Sequence, residues 1–179
     1  MLFRSLCRTA CLVLLGACSS SALKVDVSWF TRKACASTDC PESREISVSS
    51  SDGEYSVDCN LSGGDGAQIL DFQAYRVENN QIVYGMQLHN ALIGSNQFAG
   101  GSSCVFEVKE DNYYSGACGI NPPSVEQPCQ LTDLVLGDGS VSGKILCRNL
   151  PLVTYPEQTV SVTSPESSAQ PFEFSCTGL

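Results

Sequence analysis

The residues of this 179-residue chain best equipped for chemistry are one histidine, eleven cysteines and nineteen acids. A nucleophilic hydrolase needs a general base, commonly His, held by an acid and set beside Ser or Cys. His89 lies in Met86-Gln87-Leu88-His89-Asn90, at the end of an alternating strip, and no Gly-x-Ser-x-Gly surrounds any serine. His89 therefore reads as a surface or strand-edge residue. Two carboxylates can run glycoside hydrolysis without His. The acids here are scattered singles, and Glu107, Glu110 and Asp111 read as the solvated edge of a hairpin. No residue is assigned a catalytic role.

Other constellations are equally thin. Gly63-Gly64-Asp65-Gly66 lacks the Gly-Lys-Ser/Thr ending of a phosphate loop and reads as a flexible turn. Zinc sites favour Cys pairs two to four residues apart, often with His; apart from Cys35 and Cys40 the spacings beyond Cys18 are wide and His89 is the single histidine, so no metal is expected. Asp138, between two glycines, offers oxygen ligands for calcium, but outside any EF-hand pattern. Tyr113-Tyr114, with Phe98 and Tyr155, would form an aromatic patch for carbohydrate or protein if exposed together. Alternation along a strand instead sends one ring of the pair to the core and one to the surface. No cofactor is expected.

The amino terminus carries a targeting signal. Arg4 and Arg8 precede the apolar run Ala10 to Leu15, and Gly16 and Ala17 follow it. Charge, a short apolar run and then small residues are the layout of a secretory signal peptide. The run is far shorter than the roughly 20 apolar residues of a spanning helix. Leu15-Gly16-Ala17-Cys18 resembles the lipobox of bacterial lipoproteins. That resemblance covers residues 1–18 and implies cleavage before Cys18, two acyl chains such as palmitate on its thioether and a third on its amino group. Stable anchoring takes two or more chains, since one binds a bilayer only marginally. Ser19 and Ser20 follow, and the lack of Asp in the second position implies the outer membrane in the enteric sorting scheme. The competing cut follows Ser20-Ser21-Ala22 and would release a soluble protein. The expected organisation is a lipoprotein signal peptide over 1–17, an acylated Cys18 with a Ser-rich tether over 18–22, and one domain over 23–179. The four tether residues 19–22 reach at most about 14 Å.

Either cut leaves Cys35, Cys40, Cys59, Cys104, Cys118, Cys129, Cys147 and Cys176. Eight Cys in an exported domain read as four disulfides. Folding residues 104–118 about Asp111 sets 108 against 114, 106 against 116 and Cys104 against Cys118. Folding 129–147 about Gly137-Asp138-Gly139, taken as a three-residue loop, sets Val135 against Val141, Leu131 against Ile145 and Cys129 against Cys147. Directly opposed residues share a face and lie within bridging distance. Cys35 and Cys40, four residues apart, suit a local bridge. That leaves Cys59 with Cys176, with an exchange among Cys35, Cys40, Cys59 and Cys176 open.

What must position these residues is a set of strands. Alternation marks Val25-x-Val27-x-Trp29, Ile46-x-Val48, Tyr55-x-Val57, Leu70-x-Phe72-x-Ala74, Tyr84-x-Met86-x-Leu88, the two Cys hairpins, Val160-x-Val162 and Phe172-x-Phe174. Asp52-Gly53 between two such strips predicts a hairpin joining them. Residues 119–128 and 149–156, rich in Pro, read as connectors. About ten short strands without helical periodicity predict an all-β, disulfide-stapled antiparallel β-sandwich, with an irregular β-barrel as the alternative.

A net charge of −9 and a pI near 4.4 argue against a nucleic-acid partner held through phosphates. The expected function is a membrane-anchored envelope lipoprotein with a noncatalytic binding, adhesion or structural role. Its partners would be the lipid bilayer, through acylated Cys18, and a protein or glycan of the cell envelope. An envelope hydrolase is one alternative. An inhibitor of a host or rival hydrolase, presenting loop 119–128, is another.

Overall fold

A computed structural model describes residues 23–34, 44–49, 55–64, 67–94, 97–98 and 103–179. The strands are β1 (Lys24–Ala34), β2 (Arg44–Ser49), β3 (Tyr55–Gly64), β4 (Ala67–Glu78), β5 (Gln81–Gly94) and β6 (Gln97–Phe98). They continue as β7 (Val105–Lys109), β8 (Tyr113–Gly119), β9 (Cys129–Gly137), β10 (Ser140–Pro151), β11 (Thr159–Thr163) and β12 (Phe172–Thr177). No helix occurs among the described residues, and the protein is all-β.

Hydrogen-bonded neighbours follow the order β11-β1-β12-β10-β9-β8-β7-β5-β4-β3, with β2 on β1 and β6 on β5. The pairings are antiparallel except where Cys118–Gly119 run parallel to Cys129–Gln130. That two-residue seam joins two halves, β3 to β8 and β1, β2 with β9 to β12. The halves face one another across the core. Phe72 packs on Phe174 with ring centroids 5.2 Å apart, and Phe106 lies 6.2 Å from Phe172. The Cys59–Cys176 disulfide spans the same gap. Alternation explains who sits inside. In β7, Phe106 and Val108 are buried while Val105, Glu107 and Lys109 are partly exposed.

β11 and β12 share one slot. β1 pairs with β12 over Lys24–Val27 and with β11 over Phe30–Ala34. β10 does the same, with β12 over Ser140–Ile145 and with β11 from Cys147 to Pro151. The two short strands therefore lie end to end between β1 and β10, interrupted by residues 164–171. The Ser164 amide donates to the Gln170 carbonyl at 2.9 Å and closes that excursion at its base.

Several expectations meet a different chain path. β2 and β3 do not form the hairpin that Asp52-Gly53 suggested; β2 pairs with β1, and β3 with β4. The dipeptide favours a tight turn, but the strips on its two sides bury their apolar rows in different halves, and burial outweighs local turn chemistry. Residues 51–54 themselves lie outside the described set. The β9–β10 turn is also tighter than expected. Gly137 pairs with Ser140, so Asp138-Gly139 is a two-residue turn with Gly139 at φ 67°. Leu136, not Val135, therefore faces Val141. A bulge at Asp133 (φ 52°) opposite Gly143 restores the expected register, so that Leu131 faces Ile145 and Cys129 faces Cys147. Finally, Asn149–Pro151 belong to β10, and the connector starts later than its Pro content implied.

Candidate functional site

The single histidine sits at a sheet irregularity. Register shifts between Leu70 and Phe72, so that Asp71 faces the bulged pair His89 and Asn90, with Asn90 at φ 54°. The Asn90 amide donates to Asp71 Oδ1 at 3.0 Å. His89 Nδ1 lies 3.7 Å from the same oxygen and 3.4 Å from Gln87 Nε2. The carboxylate thus serves the bulge first and approaches the imidazole only at ion-pair range. Among the described residues no serine hydroxyl hydrogen-bonds His89 or Asp71. An acid and a base are adjacent, and the third member of a hydrolytic relay is not.

The acids of the β7–β8 hairpin divide. Glu107 stays partly exposed and accepts from Ser115 Oγ at 3.2 Å, and Asp111 is exposed. Glu110 is not solvated as its turn position suggested, since it is only 3% exposed. Thr31 Oγ1 donates to its carboxylate, and Lys33 Nζ stands 3.7 Å from its other oxygen and 3.6 Å from Asp111. The side chain turns away from solvent because β1 brings a hydroxyl and an ammonium across the core to meet it. A buried carboxylate needs such partners.

The outer face of β4, β5 and β7 is polar and aromatic. Tyr75 donates to Gln87 Oε1, and its ring lies over Gly85, where any Cβ would overlap it. Burial, then Glu107 and Tyr113 nearby, push the Tyr75 phenol well above its ordinary value of 10.0. Burial likewise raises Tyr114, with Glu110 and Asp111 adding to it. Tyr113 is 46% exposed and Tyr114 only 3%, so one ring of the pair faces water and one the core. Tyr155 is exposed; the side chain of Phe98 lies outside the described set.

All three disulfides of the described residues join halves or hairpins. Cys104 bridges Cys118, Cys129 bridges Cys147, and Cys59 bridges Cys176. Since Cys118 pairs with Cys129 across the seam, the two hairpin bridges sit side by side there. Cys18, Cys35 and Cys40 lie outside the described residues. Between Cys118 and Cys129 the connector is exposed over most of 120–126, with Val125 99% accessible and Ile120 50%, while Pro128 is buried. It is also held. Gln127 Nε2 donates to the Cys118 carbonyl at 3.1 Å, Gln130 Nε2 to that of Ile120 at 2.9 Å, and the Ser124 amide to the Gln127 carbonyl at 2.9 Å.

Two depressions lie among the described residues. One, of about 480 Å³, contains Lys144 between Asp133 (3.0 Å) and Glu173 (3.4 Å). The hydrogen bond from Lys144 to Asp133 leads the causes that raise the ammonium pKa. The other, of about 620 Å³, runs beside β3 and is walled by Asn60 and Leu61 on one side and by Leu136, Asp138 and Leu179 on another. Among the described residues no three His, Cys, Asp or Glu side chains gather as metal ligands. The arrangement defines a disulfide-bridged, all-β protein with surfaces to offer. No protein family, curated protein or solved structure matches the chain.

Proposed function

We propose that the chain is a bacterial envelope lipoprotein, anchored through acylated Cys18, whose all-β domain is a noncatalytic binding module. The observation that carries this is the sequence Leu15-Gly16-Ala17-Cys18 behind a charged and apolar leader. Two features are consistent with it. Strand β1 starts at Lys24, so only residues 19–23 separate the acylated Cys from the sheet. Bridged cysteines require an oxidising compartment outside the cytosol. The two facing halves are read as a β-sandwich open along β3, and the outer membrane as the destination. Lys24 pairs with Thr177, and Thr177 with Ser140, so the end built from these residues and the β9–β10 turn lies next to the bilayer.

Mass spectrometry of the mature amino terminus tests the anchor. The expected product is Cys18 carrying acyl chains, and a free amino terminus at Leu23 would end the lipoprotein reading. The inhibitor alternative draws on loop 119–128, exposed over 120–122 and 124–126 and flanked by bridges at both ends. Against it, the Ser124–Gln127 pairing closes Val125 and Glu126 into a tight tip, whereas a protease cleft takes an extended strand. An inhibition assay against an endopeptidase with a small apolar specificity pocket tests its protease form, and absence of inhibition at micromolar concentration removes that form; other hydrolase classes need the same assay.

A further inference from the structure

Among the described residues the sheet ends in β2 and β3, each with one partner strand, and the two are unlike each other. β2 has six residues, two of them the charged Arg44 and Glu45. β3 has ten residues, holds register with β4 over ten consecutive pairs without a bulge, and contains neither Pro nor Lys; its one charge is Asp58. Natural edge strands are commonly blunted by shortness, bulges, Pro or Lys, because unpaired backbone amides and carbonyls template another strand. β3 has none of these guards. The core is also incomplete along it. Tyr55, Val57 and Leu61 are only partly buried while packing against the core, as is Leu136 on the facing hairpin. The cleft of about 620 Å³ lies between Leu61 and Leu136, within the roughly 300–1,000 Å³ range of ligand sites.

We infer that β3 and this cleft form a strand-acceptor site, which an extended segment of a partner polypeptide enters as an added strand. The unpaired backbone ladder specifies the occupant class, because only a strand satisfies a run of alternating amides and carbonyls. The cleft specifies its shape. One extended segment fits between β3 and the β9–β10 turn, whereas a second folded copy would have to bring its whole body there. The side chains specify its pattern: apolar at every second position, toward Leu61 and Leu136 in the cleft, and neutral or basic between, beside the exposed Asp58, on a chain of net charge −9. This site deepens the binding-module reading and rests on it, but not on the anchor.

The test uses the disulfide-intact domain and a capped synthetic peptide with the sequence of residues 67–78, the natural neighbour of β3, carrying D71N and E78Q so that its polar positions are neutral or basic. Two further peptides carry N-methyl groups on alternate amides, one on the odd set and one on the even set. In an added strand only one set faces β3. The expected result is therefore asymmetric. Losing several backbone hydrogen bonds of about 1 kcal/mol each weakens one methylated peptide at least about tenfold. The other binds within about threefold of the parent, since its methyl groups point away from the ladder. Hydrogen exchange should slow at amides within 55–63 while those of β4 stay as protected as before. Absence of binding up to about 1 mM overturns the site. Equal affinity of the two methylated peptides, or lost protection in β4, overturns it as well. None of these failures touches acylation at Cys18, which the terminal mass reads separately.

Discussion

Tyr75 and Glu110 show how single side chains acquire their settings from residues distant in sequence. Tyr75 lies flat because its cross-strand partner is Gly85, the one residue type that leaves room for the ring. Removed from water, its phenol resists ionisation, and Tyr114 behaves likewise. The sign of the pH effect follows. A pKa raised on folding means that the native state holds its proton where the unfolded chain has released it. These tyrosines contribute no pH dependence below the ordinary phenol value of 10.0. Above it, the unfolded state ionises first and stability falls as pH rises toward the folded values. Absorbance of tyrosinate followed through an alkaline titration should show phenols that ionise only together with loss of structure. Free titration of all six tyrosines near 10 with the fold intact would contradict this.

At the level of elements, the β7–β8 hairpin is locked at both ends. Cys104–Cys118 closes its base, and Glu110 near its tip reaches Thr31 and Lys33 of β1. Removing one member of a buried ion pair costs about 3–5 kcal/mol, because the other charge stays desolvated. Glu110→Ala should therefore lower unfolding free energy by roughly 3 kcal/mol in urea. Asp111→Ala, at a side chain 67% exposed, should change it by less than about 1 kcal/mol. Similar effects from both substitutions would mean that Glu110 is hydrated in solution. The strand pattern was legible because alternation is a local property. The hairpin bases were legible too, because opposition depends only on counting from the turn. The bulge at Asp133 was not. An extra residue that compensates a tighter turn leaves the distant register unchanged, and with it the signal by which it could have been detected.

For the whole molecule, the two halves touch through the two-residue seam, a shared core, the Glu110 contacts with Thr31 and Lys33, the Val153 amide on the Tyr113 carbonyl and, among the described residues, one long-range bridge, Cys59–Cys176, with a sequence separation of 117. Loop-closure entropy gives about 5 kcal/mol for a loop of that size and about 3 kcal/mol for each hairpin bridge. The Cys59→Ser/Cys176→Ser double variant should therefore be less stable than Cys104→Ser/Cys118→Ser, by thermal unfolding under nonreducing conditions. The reverse order would mean that packing alone holds the halves together. The amino-acid sequence by itself determined the strand-forming strips, the opposed cysteines of both hairpins, the absence of helical periodicity and the lipobox-like segment. Each of these depends on neighbours within about twenty residues, where backbone geometry fixes who can meet whom. Only the tertiary structure decided that β2 and β3 part company, that β11 and β12 share one slot, that Glu110 is buried, and that β3 has β4 as its one partner strand among the described residues. Those outcomes hang on which apolar rows find one another across the core. That choice is made by the burial of all the strands together, and no short stretch of residues contains it.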